Sequence, residues 1–332
     1  MQNKIKNKLA QTLPQLIRDL DRKYSLNNLA PALFKRIKEF ASRKGKRLRP
    51  ALFVIGYLGF SRKAAPNLYK SALSMELLHD FFLVHDDIID KADLRRDRPT
   101  MHKILGQDQA IIAGDLLYAL ALDAFLSIQV TPERKEKALR KFIRAAVLTE
   151  LGESLELSTD KLDIRKVNAE DILKIYLCKT AVYTFAAPLA CGAILAGAGS
   201  AEVSKLEQYG LYLGRAFQIK DDILGMFNSE KQIGKSVLTD LQEAKKTLLI
   251  WYAYKYSSNK DKLLVKNILA KNKVTNSDLF KMRKIIIASG ALAYAQGEIT
   301  QLLKKSKLTI NSSAMRPKYK QLLNDYSEQL LN

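Results

Sequence analysis

Apolar residues recur at three- and four-residue intervals along nearly the whole of this 332-residue chain, in segments such as LPQLIRDL, LFKRIKEFA, ILKIYL and LFKMRKIII. That spacing lays one apolar stripe along each helix. Alternating apolar and polar runs rich in β-branched residues, the mark of half-buried strands, are scarce. Punctuation is sparse too. Pro50, Pro66, Pro99 and Pro132 mark helix starts or breaks, Gly45 and Gly106 mark connections, and SSNKDK at 257–262 is the most loop-like stretch. No Pro/Gly/Ser-rich linker and no fixed-period repeat divides the chain. The expectation is an all-α protein, one domain over 1–332, with roughly ten or more helices packed as a bundle.

Against this apolar background two groups of acids stand out: Asp86-Asp87 with Asp90 in LLHDFFLVHDDIID, and Asp221-Asp222 in LGRAFQIKDDILGMF. A carboxylate taken out of water costs several kcal/mol unless a cation accompanies it. Mg²⁺ meets that need, because one or two carboxylates hold it while substrate phosphates and water complete its shell. On a helix, Phe82, Asp86 and Asp90 fall on one stripe, with His79 three residues before Phe82 on the same side. Gln218, Asp221 and Asp222 repeat the spacing, so facing helices would clamp metal from opposite sides.

Basic groups accompany the acids. Gly45-Lys46-Arg47-Leu48-Arg49-Pro50 gathers three cations in one turn, and Arg95-Arg96 follow the first acid group. Arginine forks grip phosphate bidentately and lysine holds it as a point charge. The whole chain carries 55 Lys and Arg against 34 Asp and Glu, a net +21 that favours anionic partners. Lysine-rich pieces such as NKIKNK, SNKDK and KKSK are scattered as solvated helix faces are, which argues against a nucleic-acid patch. Cys178 and Cys191 lie in apolar sequence away from other ligands and read as reduced structural thiols of a cytosolic protein. The N-terminal segment has no uninterrupted apolar core of a signal peptide. YTFAAPLACGAILAGAGS, broken by Pro188, reads as a buried helix rather than a membrane span.

GKRLRP, HDDIIDKADLRRDRPTMH, CKTA, FQIKDDILG and GKSVLTDLQEAKKT follow in order through about residues 40–250 and resemble the signature segments of the trans-isoprenyl diphosphate synthases. The resemblance implies a helical bundle around a deep cavity, a cytoplasmic homodimer, and condensation of isopentenyl diphosphate with an allylic diphosphate. It implies that Asp86, Asp90 and Asp221, helped by Asp87 and Asp222, hold Mg²⁺, about three ions with substrate bound. Arg95, Lys179, Lys235 and Lys245 would add charge around the allylic diphosphate, and Thr180 and Gln218 would orient dipoles near the cation. Lys46, Arg49, His79, Arg96 and the backbone near Gly45 would hold isopentenyl diphosphate.

Phe82 and Phe81 precede Asp86 by four and five residues, so their rings lie about 6 and about 7.5 Å down the helix, where a growing tail would run. By resemblance to short-chain members with aromatics there, the expected product is farnesyl (C15) first and geranylgeranyl (C20) second. Gly225 departs from the family pattern where a last aspartate stands, as do Asp97 where glycine is common and Glu153 and Glu156 where Gln and Asp are usual. A class I terpene cyclase shares the acid helix and Mg²⁺ but needs no GKRLRP. A basic nucleic-acid-binding helical protein accounts for the charge but not for acids set in apolar helix.

Overall fold

A computed structural model describes residues 2–43, 45–228 and 238–329. Helices make up nearly all of it: α1 (Gln2–Tyr24), α2 (Leu26–Leu29), α3 (Pro31–Ser42), α4 (Leu48–Phe60), α5 (Leu68–Ile89), α6 (Met101–Leu105), α7 (Gln107–Leu126), α8 (Pro132–Asp160), α9 (Ala169–Ile175), α10 (Ala187–Ala196) and α11 (Ser200–Phe227). Six more follow, at Thr239–Gln242, Leu248–Tyr256, Asn259–Leu269, Asn276–Ala288, Ala291–Asn311 and Pro317–Gln329. The helical period therefore predicts the class correctly. Among the described residues the one ladder is a hairpin of two-residue strands, β1 (Leu94–Arg95) and β2 (Arg98–Pro99), joined through Arg96 and Asp97.

The chain sorts into two compact units interleaved along the sequence. Met1–Ile143, Ala187–Leu206 and Ser313–Leu323 form the first; Arg144–Ala186, Glu207–Ser312 and Asn324–Asn332 form the second. In the first, the α1 stripe of Ile5, Leu9, Leu13, Leu16, Ile17 and Leu20 is buried at the three- and four-residue spacing that the sequence shows. Beyond Arg49, helix α4 is apolar on every side and buried on almost every side. It packs against α10 where Gly192 sits so close that an added Cβ would lie 2.1 Å from Phe53 O. Phe53, Phe125 and Phe142 fill the core with ring centroids 6.0 and 5.0 Å apart.

Within the second unit, α9 opens on a capping box in which Asn168 Oδ1 accepts from Asp171 N at 2.9 Å and Asp171 reaches back to Asn168 N. The helix then widens into a π-helical stretch over Tyr176–Ala186 before α10 resumes the ordinary turn. Pro188, read as a break, lies just beyond that stretch inside continuous helix. A local change of winding accommodates the proline's missing N–H and ring bulk upstream. SSNKDK is likewise mostly helix: Ser258 accepts from Asp261 N at 3.2 Å and caps Asn259–Leu269. Serine before a charged turn signals a helix start as well as a loop.

Two segments, Gln107–Leu126 and Ala169–Ala196, are long and apolar enough to cross a membrane by length and composition, and 44% and 61% of their most apolar windows are buried in protein.

Candidate functional site

Helix α5 places the first acid group. Leu73, Met75, Leu77, Leu78 and Val84 bury it on the apolar side. Successive residues on a helix point about 100° apart, so Asp86 and Asp90 share a stripe while Asp87 turns inward. Asp87 has no exposure, the Asp86 side chain is 26% exposed, and Asp90 caps the helix at its exposed end. Burial pushes the Asp87 carboxyl up to about 6, with Arg95 pulling the other way. Arg95 bridges the pair: its Nε donates to Asp87 Oδ1 at 2.5 Å and its Nη2 to Asp86 Oδ2 at 3.0 Å. The sequence reading gave Arg95 to phosphate alone, and the structure adds this carboxylate bridge. Asp87 Oδ2 is buried with no hydrogen-bond partner. Oxygen donors with one buried lone oxygen fit a hard cation such as Mg²⁺. Among the described residues no three acidic, His or Cys side chains converge as a ready ligand cluster.

The basic turn lies in the same unit. Arg47 takes up a left-handed backbone (φ 48°) just before α4 and spends its guanidinium inward: Nη1 meets Glu76 Oε1 at 2.6 Å, and Nη2 donates to Ala41 O and Arg43 O at 2.7 and 2.8 Å. Lys46 is exposed and Arg49 half-buried. Arg96, also left-handed (φ 56°), brings its guanidinium nitrogens to 3.5 Å from where a Cβ on Gly45 would sit. His79 lies amid these groups. Burial first, then Arg49, Arg96, Arg95 and Arg47, hold its imidazole well below its ordinary pKa and therefore neutral. Lys46, Arg49, His79, Arg96 and Gly45 thus belong to one basic neighbourhood. Asp80, one residue on, is fully buried with neither oxygen hydrogen-bonded, and burial followed by Glu76 raises its pKa well above the usual carboxylate range.

Phe81 packs on Phe82, on His85 and on Tyr118 of α7, with ring centroids 5.0, 4.8 and 5.3 Å apart. Both phenylalanines are half-buried.

The second unit holds the other acids. Asp221 is exposed and Asp222 half-buried. A chain of hydrogen bonds runs through Asp222: Thr180 Oγ1 donates to Gln218 Oε1 at 2.7 Å, Gln218 Nε2 to Asp222 Oδ1 at 3.0 Å, Tyr176 Oη to Asp222 Oδ2, and Leu248 N to Tyr176 Oη at 2.9 Å. Thr180 and Gln218 are therefore joined directly. The Lys179 ammonium lies between Glu153 Oε2 at 2.7 Å and Glu156 Oε2. The two glutamates that depart from the family pattern are thus its ion partners. Lys245 pairs with Glu243 at 2.9 Å. Lys235 lies outside the described residues. Gly214 of α11 makes this cluster possible, since a Cβ there would lie 2.4 Å from Ala181 Cα in the π stretch.

Tyr176, Arg43 and Asp160 carry much of this architecture and were absent from the sequence reading. One signal was present for Tyr176, which stands one turn before Lys179 and Thr180 in an apolar helix.

A helical chain with an arginine-bridged aspartate pair, a basic turn and a second acid helix has the ingredients of a diphosphate-handling prenyltransferase. The chain belongs to the Polyprenyl synthetase family, whose model matches residues 30–286. It is 34% identical over 272 residues to a geranylgeranyl diphosphate synthase of Saccharolobus solfataricus, covering 79% of this chain and 80% of that one. It is also 34% identical over 289 residues to a geranylfarnesyl diphosphate synthase of Aeropyrum pernix, covering 84% and 87%. Among solved structures, the polyprenyl synthase of Caulobacter crescentus CB15 complexed with calcium and isoprenyl diphosphate aligns with TM-score 0.85 and 27% identity over 99% of this chain and 96% of that one. The chain is thus an all-α prenyltransferase that makes prenyl diphosphates. These names do not support the C15 preference drawn from Phe81 and Phe82. Both rings are engaged with neighbours, which bulk counted along one helix does not register.

Proposed function

We propose that this protein condenses isopentenyl diphosphate with an allylic diphosphate, head to tail, to give a short trans-prenyl diphosphate of geranylgeranyl (C20) length, the whole of 1–332 acting as one domain. The observation that carries the reading is the Asp86–Asp87 pair, half in and half out of an apolar helix, with a buried oxygen left for a cation. Asp86, Asp90 and Asp221, with help from Asp87 and Asp222, would hold Mg²⁺. Bound there, the metal would act as a Lewis acid that stabilises the departing diphosphate.

The chain's own groups supply the rest. Arg95, Lys179, Lys235 and Lys245 would offset the charge that develops on the leaving diphosphate, as preorganised cations do without reorganisation cost. Lys46, Arg49, His79 and Arg96 would hold the second diphosphate, so that the isopentenyl double bond meets the allylic carbon in register. Neutral His79 suits this role as a donor that adds no further charge to a crowded basic site. Thr180 and Gln218 would aim their dipoles at the allylic cation. The proton lost in the last step would pass to the departed diphosphate. C20 length is supported by the names of relatives such as the geranylgeranyl diphosphate synthase of Saccharolobus solfataricus.

We assign the protein to the cytosol. Its state would be a homodimer, supported by the resemblance and by an exposed apolar row on α8. The reading is tested with purified protein, Mg²⁺, isopentenyl diphosphate and each allylic primer in turn, sizing the products by chromatography. Prenyl diphosphates ending at C20 are expected; a cyclic hydrocarbon from an allylic diphosphate alone, or no consumption of isopentenyl diphosphate, overturns it.

A further inference from the structure

Arg43 follows the last turn of α3 and is 7% exposed. A guanidinium that deep needs acceptors, and Arg43 finds them on one hairpin. Its Nη1 donates to Arg95 O at 3.3 Å and its Nη2 to Pro99 O at 3.1 Å. The group lies 4.8 Å over the Phe40 ring, with Glu39 at 3.8 Å.

The two carbonyls bracket Arg96 and Asp97, whose φ values of 56° and 59° are both left-handed. A two-residue hairpin of this twist demands positive φ at both central positions and normally meets the demand with Asn-Gly or Asp-Gly. Arginine and aspartate meet it at a cost, so the hairpin is strained. Arg43 also faces the other way, because its own carbonyl accepts from Arg47 Nη2 at 2.8 Å, and Arg47 is locked to Glu76. One buried arginine therefore ties the strained hairpin that carries Arg96 to the turn that carries Gly45, Lys46 and Arg49.

We propose that Arg43 is a positioning residue for the isopentenyl half of the reaction, clamping the Arg95–Pro99 hairpin so that Arg96 stands ready against the Gly45–Arg49 turn. The proposal rests on the reading of that turn as a diphosphate site. Without the clamp, the strained hairpin relaxes into other conformers. Affinity then falls in proportion to the population that still presents Arg96.

The test compares Arg43→Met, Arg43→Lys and the double variant Arg43→Met with Asp97→Gly in steady-state assays that vary each substrate separately. For Arg43→Met, KM for isopentenyl diphosphate is expected to rise about tenfold; the Arg95 side chain stays held by its own bridge to Asp86 and Asp87, so KM for the allylic primer and kcat should remain within about twofold of wild type. Arg43→Lys keeps the charge but cannot fork to both carbonyls and should fall between. It also carries the test if the methionine variant fails to fold. Glycine at position 97 relieves one of the two strained positions, so the double variant should recover to within about threefold of wild type. A role in stability alone would lower thermal stability and depress turnover of both substrates together. That pattern, an unchanged KM for isopentenyl diphosphate, or no recovery by Asp97→Gly overturns the proposal. Wild-type protein that uses no isopentenyl diphosphate overturns the underlying reading instead, and the clamp with it.

Discussion

Asp160 ends α8 with its Oδ1 accepting the Lys246 backbone N–H at 3.1 Å, and burial followed by Glu156 pushes its carboxyl up to about 7. The folded protein therefore binds a proton between pH 4 and 7 that the unfolded chain has released. Stability must fall as pH rises through that window and stay low above it. Asp160→Asn keeps an acceptor for Lys246 N and removes the titration. At pH 8 the variant is expected to be more stable than wild type by about 1–2 kcal/mol, and at pH 4 the two should match. Urea melts at the two values check this, and an advantage equal at both pH values contradicts it. Asp86 answers a different question. Asp86→Ala should retain the fold while turnover drops by about two orders of magnitude or more. Near-normal rates in a folded variant remove Asp86 from the metal set.

The π stretch over Tyr176–Ala186 joins three segments through Tyr176. Its hydroxyl donates to Asp222 of α11 and accepts from Leu248 N at the start of Leu248–Tyr256. Tyr176→Phe leaves a buried backbone N–H and a carboxylate oxygen without this partner, which costs about 1–3 kcal/mol per buried group. Loss of thermal stability with lower turnover is expected, and an unchanged melting curve would show that water replaces the hydroxyl. This element also shows where sequence reading ends. The three- and four-residue spacing of α1, and the acids set in α5, are written in side-chain order and were legible. The π winding was not, because a stretch such as YLCKTAVYTFA keeps much the same apolar pattern in either helix, and the choice depends on how closely Gly214 lets α11 approach. Arg43 and Arg47 were hidden for a related reason. In a chain of net +21 an arginine in sequence looks solvated, and only the fold reveals which ones are buried against carbonyls and Glu76.

For the molecule as a whole, the proposed dimer rests on one face of α8. Helix α8 carries Val147, Leu151 and Leu155 at four-residue spacing, 51%, 53% and 44% exposed. Residues so spaced form a row along one helix face, and a row of large aliphatics left in water is the signature of a covered surface rather than of scattered surface hydrophobes. The proposed occupant is the same face of a second copy, since a twofold interface asks one patch to match itself and an aliphatic row does so without charge conflict. A stable pair needs roughly 1,600 Å² of total buried surface, more than three side chains supply, so neighbouring residues must join the contact and one central charge should disrupt it. With a 37.5 kDa chain, light scattering on the wild type should therefore report about twice that mass, and Leu151→Glu should shift the protein toward the single-chain mass with its helical signal intact. Wild-type protein that runs as a monomer at micromolar concentration, or a Leu151→Glu variant that stays dimeric, rules out this face.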